Sequence, residues 1–324
     1  MAQFWQSKRC LITGVSGLIG GYLSKMLLEE GAEVTGFDLD DRGTLPWHGI
    51  VGKFPILKGD ILDLDSLTMS MPNYDAVFHL AAISGVEASR SAGYGAFQVN
   101  ILGTLNVLEA ARRMEPGVVV AASTNHVYGK QISLPAKETA PMNQMDTYTV
   151  AKIAADYLTR GYWHNYKVPT IAIRNTNCFG PFDPHNDHII PSVFQSILRE
   201  EAPIIKSNGQ TQKSYLHTAD VARAYMMMAE AGLNGRGLGE AVNVSGEPIS
   251  VLALVLLMLK AANSALQPIV LNEPNDQSNE HLDTTRLKGL TGWEPRYTLS
   301  SALDDTFRWF REQRVIESMG RIGG

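Results

Sequence analysis

A chain of 324 residues with 44% hydrophobic and 19% charged residues can bury one large core or two smaller ones, which excludes a disordered or fibrous class. A formal net charge of -5 with no Lys/Arg block argues against a nucleic-acid partner. The two cysteines, Cys10 and Cys178, exclude a disulfide framework and fit a reducing cytoplasm.

The N-terminal "MAQFWQSKRCLITG" lacks the long apolar core of a signal peptide. "CLIT" is a short apolar strand. Gly14, Gly17 and Gly20 follow at G-x-x-G-x-x-G spacing. Residues 18–30 have the pattern of an amphipathic helix that Gly31 closes, and "AEVTGFD" is a second strand ending at Asp38. Glycines between a strand and a helix let a tight turn approach a pyrophosphate, which then rests on unpaired N–H groups at the helix N-terminus. Asp38 ends the next strand where a ribose hydroxyl would lie, and a carboxylate repels a 2′-phosphate, so the pattern predicts NAD rather than NADP. Arg42 is the nearby residue that could hold such a phosphate.

The alternation continues. "FPILKGDI" is a strand ending at Asp60, and "YDAVFHLAA" a buried strand ending in small residues. "FQVNILGTLNVLEAARRM" is a helix, "GVVVAAST" a strand, "TYTVAKIAADYLTRGYWHNY" a helix and "PTIAIRNT" a strand. Such alternation predicts an α/β fold, a doubly wound parallel sheet with helices on both faces and ligands at the carboxyl ends of its strands. Asp60, Ala81, Ala82 and Thr124 lie at such ends. "VLALVLLMLKAA" from Val251 is too short to span a bilayer and reads as a buried helix, so no membrane partner is expected.

With these pieces the chain resembles the extended short-chain dehydrogenase/reductase family, the nucleotide-sugar epimerases and dehydratases. The resemblance rests on "TGVSGLIG", "GDI" at 59–61, "HLAA" at 79–82, Asn100, "STNHVYG", "YTVAK", "RNTNCFGP" and a Gly-Trp-x-Pro at 292–295. It covers nearly the whole chain, and the branch it is most similar to is that of CDP-glucose dehydratase-like proteins. It implies a Rossmann-type NAD-binding domain over 1–175 and a smaller, mainly substrate-binding domain over 176–324, some of whose segments return to the large sheet. It also implies tightly held NAD, a nucleotide-sugar substrate and a homodimer formed through a helix bundle. The residues it places beside NAD are Gly14, Gly17, Leu18, Ile19, Asp38, Asp60, Ile61, Leu80, Ala81, Ala82, Asn100, Tyr148 and Lys152. Those it places beside the substrate are Ser84, Thr124, Asn125, His126, Asn177, Ile190, Arg199 and Lys213.

Tyr148 and Lys152 stand four apart on one helix, so both face one side. A free tyrosine has a pKa near 10. A neighbouring ammonium together with a positive nicotinamide would stabilise the phenolate and make it a base near neutrality. Thr124 would hydrogen-bond the hydroxyl being oxidised, and Lys152 would also hold the nicotinamide ribose. In family members that remove water from C6 of a hexose, the two residues after this threonine are Asp and Glu, or Asp and Lys. Here they are Asn125 and His126. Asn has no usefully acidic proton, whereas an imidazole titrates near neutrality and can serve as acid or base, or merely shape the pocket. An epimerase needs neither partner, so the reading leans towards epimerisation through a transient 4-keto sugar. The alternatives are a 4,6-dehydratase, a dehydrogenase or ketoreductase of a non-nucleotide substrate, and a non-catalytic NAD-binding regulator.

The family segment that usually carries an arginine near the nucleotide has Lys213 instead, and a second arginine expected shortly before Asp283 is absent, with Asn279 near its place. Arginine offers phosphate a bidentate fork and lysine a point charge. Diphosphate binding then falls to Asn177, Lys213 and Arg199 or Lys206. "FDPHNDHIIP" offers Asp183, His185, Asp187 and His188 without a recognised ligand spacing, so a substrate-covering loop leading into a helix at 189–200 is expected rather than a metal. Cys10 should pack in the first strand, and nothing marks Cys178 as a nucleophile.

Overall fold

Short β-branched and small-residue runs separated by amphipathic stretches produce twelve named strands in the computed structural model, which describes residues 4–274 and 278–320 and side chains as far as Arg314. In chain order the strands are β1 (Arg9–Thr13), β2 (Glu33–Asp38), β3 (Ile56–Lys58), β4 (Ala76–His79), β5 (Val118–Ala122), β6 (Thr170–Asn175), β7 (Asn177–Phe179), β8 (Ile204–Ile205), β9 (Gln212–His217), β10 (Ala241–Val244), β11 (Pro248–Ser250) and β12 (Ile269–Val270). The helices are α1 (Leu18–Glu29), α2 (Leu45–His48), α3 (Leu64–Ser70), α4 (Val86–Ala92), α5 (Tyr94–Phe97), α6 (Thr104–Met114), α7 (Thr147–Tyr166), α8 (Ile189–Leu198), α9 (Thr218–Leu233), α10 (Val251–Ala261), α11 (Thr285–Thr291) and α12 (Leu299–Gly320).

Seven strands form one parallel sheet in the order β10-β6-β5-β4-β1-β2-β3. β4 is buried at all four positions and β5 at four of its five, because helices cover both faces. One apolar core lies between the sheet and α1 and α9; another lies between the sheet and α3 and α6. The doubly wound reading of the sequence therefore holds. The order reverses between β1 and β4, which opens a crevice at their carboxyl ends.

The chain beyond residue 176 divides between two places. β10 joins the large sheet beside β6, and α9 packs on α1. The remainder forms two small sheets, β11-β9-β7 and β12-β8, and a separate apolar cluster among α8, α10 and α12. The Gly-Trp-x-Pro segment has a structural task. Trp293 is fully buried and its Nε1 donates to the Asp220 carbonyl at 3.1 Å, while the Asp220 carboxylate accepts from Arg296 N and Tyr297 N at 2.9 Å each.

Three local expectations change. The strand read through Asp60 ends at Lys58, leaving Asp60 and Ile61 in the following turn. The helix over 97–114 is π-helical at Gln98–Gly103 before it becomes α. There the Asn100 side chain accepts from Ile83 N at 2.9 Å and donates to Ile83 O at 3.0 Å, so the wide turn ties this helix to the loop after β4. Third, α10 buries only one face: Leu254, Val255, Met258 and Leu259 are buried, whereas Leu256 is 47% exposed. No helix among the described residues is long and apolar enough to cross a membrane.

Candidate active site

The β1–α1 turn is built for close backbone approach. Gly14 has φ +72°, and a Cβ there would fall 2.5 Å from Ala81 N; a Cβ at Gly20 would fall 2.4 Å from Gly14 O. Both contacts are shorter than any side chain tolerates, so glycine is required at each. Gly17 caps α1 without a side-chain bond, which leaves the helix's first N–H groups facing the cleft. The cleft measures about 640 Å³, and its lining includes Leu18, Ile19, Asp60, Ile61, Leu80, Ala81, Ala82, Tyr148 and Lys152. Asn100 is absent from that lining: its amide is occupied by Ile83, so it supports the cleft wall.

Asp38 stands at the cleft rim. Its Oδ2 accepts from Ser16 N at 2.9 Å and Ser16 Oγ at 2.8 Å, and its Oδ1 accepts from Leu39 N at 2.8 Å. Ser16, which lies between the first two glycines of the pattern, therefore orients the acid, a role that spacing alone does not reveal. Arg42 is exposed and does not line the cleft. The glycine cradle, the open helix N-terminus and the fixed carboxylate fit NAD. NAD should bind much more tightly than NADP in titration calorimetry; equal or tighter NADP binding would overturn the role given to Asp38.

At the end of β5 the extended residue Thr124 caps a 3₁₀ turn over Asn125–Tyr128, its Oγ1 accepting from His126 N at 3.3 Å. α7 starts at the Asp146 cap, whose Oδ1 accepts from Thr149 N at 3.0 Å, and presents Tyr148 and Lys152 to the cleft, 9% and 5% exposed. Lys152 Nζ donates to the Ala122 carbonyl at 2.6 Å. Burial pushes Lys152 down to about 8, against the opposing pull of Asp156. Burial likewise pushes the Tyr148 phenol up to about 12, with hydrogen bonds from Thr124 and Ser84 working against the rise. The protein's own groups thus leave Tyr148 protonated at neutral pH, because desolvation, with Cys178 and Asp146 adding to it, outweighs those two hydrogen bonds. The nicotinamide charge would have to supply the rest of the lowering expected from sequence.

Two connected cavities continue from the cleft. The inner one, about 220 Å³, is lined by Ser84, Thr124, Asn125, His126, Tyr148, Asn177, Cys178 and Ile190, among others. The His126 and Tyr148 rings lie 6.3 Å apart, edge to face. The outer cavity, about 480 Å³, shares His126, Asn177, Ile189 and Tyr215 with the inner one and adds Lys206, Lys213, Glu273 and Glu280. Of the expected substrate residues, only Arg199 lies apart: it follows α8, is exposed, and pairs with Glu201 at 2.8 Å. Glu280 was not anticipated. It meets Asn125 across 155 positions of sequence, and no local pattern marks it.

The loop before α8 gathers Asp183, His185 and His188 although their spacing is not a recognised one. Asp183 is 2% exposed and accepts from His185 Nδ1 at 2.9 Å and His188 Nδ1 at 3.1 Å, and the two rings stack with centroids 4.6 Å apart. The ligand-type atoms lie within 4.8 Å of one another. Burial raises the Asp183 carboxyl, but the two imidazoles and the His185 N–H hold it below its ordinary range. The three polar groups satisfy one another and brace the wall where cleft and inner cavity meet. Cys178 lines both spaces; burial and Asp183 push its thiol up to about 12, which disfavours the thiolate form.

The family model described as "NAD dependent epimerase/dehydratase family" matches residues 10–245. A UDP-glucose 4-epimerase from Mycolicibacterium smegmatis is 30% identical, over 94% of this chain and 99% of that one. A dTDP-glucose 4,6-dehydratase from Streptomyces niveus is 27% identical, over 95% and 94%. Among solved structures, the UDP-glucose 4-epimerase of Thermotoga maritima with UDP-glucose superposes with a TM-score of 0.86 at 25% identity, covering 94% of this chain and 99% of that one. With the glycine turn, the Asp38 rim and the Thr124–Tyr148–Lys152 set in place, the chain belongs to the NAD-dependent epimerase/dehydratase family of enzymes.

Proposed function

We propose that the chain is a nucleotide-sugar epimerase acting through a transient 4-keto sugar. The observation that carries this reading is Asn125. Beside the proton-transfer pair stands an amide whose Nδ2 is already engaged by Glu280 at 2.6 Å, where a dehydratase needs an acid for the C6 hydroxyl. Thr124 and Ser84 would orient the sugar hydroxyl in the inner cavity, and Tyr148 would accept its proton. The Lys152 ammonium favours the charged phenolate and would hold the nicotinamide ribose. The β1–α1 turn and Asp38 would hold oxidised NAD, which would supply the hydride acceptor. The 4-keto sugar, planar only at C4, would turn over in the cavity, present the other face of C4 to be reduced, and recover a proton from Tyr148. The inner cavity suits a hexose. The outer one is lined by Lys206 and Lys213, whose charge suits a nucleotide diphosphate, in keeping with the UDP- and dTDP-sugars named for the relatives.

A 4,6-dehydratase is the second reading, favoured by His126 at the inner cavity, where it could remove the C5 proton. The two differ in mass and isotope. Incubated with a panel of nucleotide sugars in heavy water, the enzyme should give a product of unchanged elemental composition with no deuterium at C5, and His126→Ala should cost only a modest share of turnover. Loss of water, or deuterium at C5 in the wild-type product, would sink the simple epimerase reading whatever the variant does.

A further inference from the structure

Glu280 sits where the two cavities meet. Its Oε2 accepts from Asn125 Nδ2 at 2.6 Å, while its other oxygen pairs with the Lys213 ammonium. Both members of that ion pair are 14% exposed. Asn125 belongs to the inner cavity and Lys213 to the outer one, so a single carboxylate touches both. Its direction is set by backbone: Glu280 N donates to the Gln212 carbonyl at 2.9 Å, and Gln212 N donates to Asn279 Oδ1 at 2.9 Å. The segment therefore lies along β9, next to Lys213. Among the described residues, the lysines and glutamates lining the outer cavity are Lys206 and Lys213 against Glu273 and Glu280, two of each sign. A diphosphate entering it meets little net positive field while Lys213 remains paired.

We infer that Glu280 is a specificity-determining residue of the outer cavity: it holds Lys213 in an ion pair that the substrate's diphosphate must open. Lysine suits this task because its ammonium is a compact point charge on a flexible stem that can turn from one anion to another; the planar fork of an arginine would stay committed to its partner. Ligands whose phosphate does not reach Lys213 leave the pair closed and meet a carboxylate. A nucleotide diphosphate pulls Lys213 away and leaves Glu280 with Asn125, so occupancy of the outer cavity is felt one residue from Thr124. This rests on the nucleotide-sugar reading above.

Glu280→Gln is nearly isosteric, keeps an oxygen for Asn125 Nδ2 and removes the charge facing Lys213. Calorimetry of the NAD-loaded protein with UDP, dTDP, CDP and GDP should show the variant binding the preferred nucleotide about threefold to tenfold more tightly than wild type, the scale of one partly exposed ion pair. In Glu280→Gln/Lys213→Met the gain should vanish. Circular dichroism and NAD binding check that each variant folds. Wild-type binding that Glu280→Gln leaves equal or weaker overturns the inference alone. So does a gain that survives loss of Lys213, since it would then come from overall charge. If neither wild type nor Glu280→Gln binds any of the four nucleotides, the nucleotide-sugar reading fails and this inference with it.

Discussion

Tyr148→Phe is expected to fold, to bind NAD as the wild type does, and to lose turnover by at least about a hundredfold, the ordinary contribution of a positioned proton acceptor. The substitution keeps the ring, which is 9% exposed and packs edge to face against His126, so the change is confined to one oxygen. That oxygen works against its surroundings. Burial, with smaller contributions from Cys178 and Asp146, holds the phenol at about 12 even though hydrogen bonds from Thr124 and Ser84 moderate the rise. In the proposed mechanism, proton transfer would therefore need positive charge brought close to the ring, which Lys152 and the oxidised cofactor would supply. Single-turnover kinetics on the NAD-loaded variant, beside a calorimetric NAD titration, separate chemistry from binding. Near-normal turnover would remove Tyr148 from its role.

Asp156→Ala should produce the largest loss of stability, about 3–5 kcal/mol, because it strands a buried guanidinium. Arg174 is 1% exposed. Its Nε and Nη2 donate to the two Asp156 oxygens at 2.8 and 2.9 Å, and its Nη1 donates to Tyr128 Oη at 2.8 Å and to the Glu138 carbonyl at 3.0 Å. Tyr128 in turn donates to Asn243 Oδ1 at 2.6 Å, so the network joins α7, β6, β10 and the turn after Thr124. Burial pushes the Asp156 carboxyl up, but the hydrogen bonds and charge of Arg174 pull harder and hold it below the ordinary range. A carboxyl depressed in the folded state contributes its stability above the unfolded value, near pH 4, and loses it as pH falls through the lower folded value. The variant should therefore lose most at neutral pH and show a shallower acid limb. Urea melts at several pH values measure both; a neutral-pH loss under about 1 kcal/mol would mean the network does not hold α7 in place. Activity should fall as well, because Asp156 is one turn beyond Lys152 and raises its pKa, so without it less of Lys152 is charged at neutral pH.

The parts of this protein that the sequence by itself determined are those set by short spacings. Gly14, Gly17 and Gly20 between a strand and a helix, Asp38 at the next strand end, and Tyr148 and Lys152 one turn apart all lie where their spacing puts them, because each depends on the pitch of one helix or the end of one strand. The strand–helix alternation decided the parallel sheet for the same reason. Only the tertiary structure decided which charged side chains turn inward. Arg199 has the right sign for a diphosphate, yet it follows α8 on the solvent side and pairs with Glu201. Glu280 lies in a segment without regular pattern, yet its backbone bonds to β9 aim it between Asn125 and Lys213. Asp183, His185 and His188 close into one hydrogen-bonded cluster, and the Asn100 amide bonds to Ile83 in the loop after β4. Even the proton affinity of Tyr148 could not be read from its spacing to Lys152. Spacing sets which groups are neighbours, but burial, which depends on everything packed around them, decides which charge state those neighbours hold.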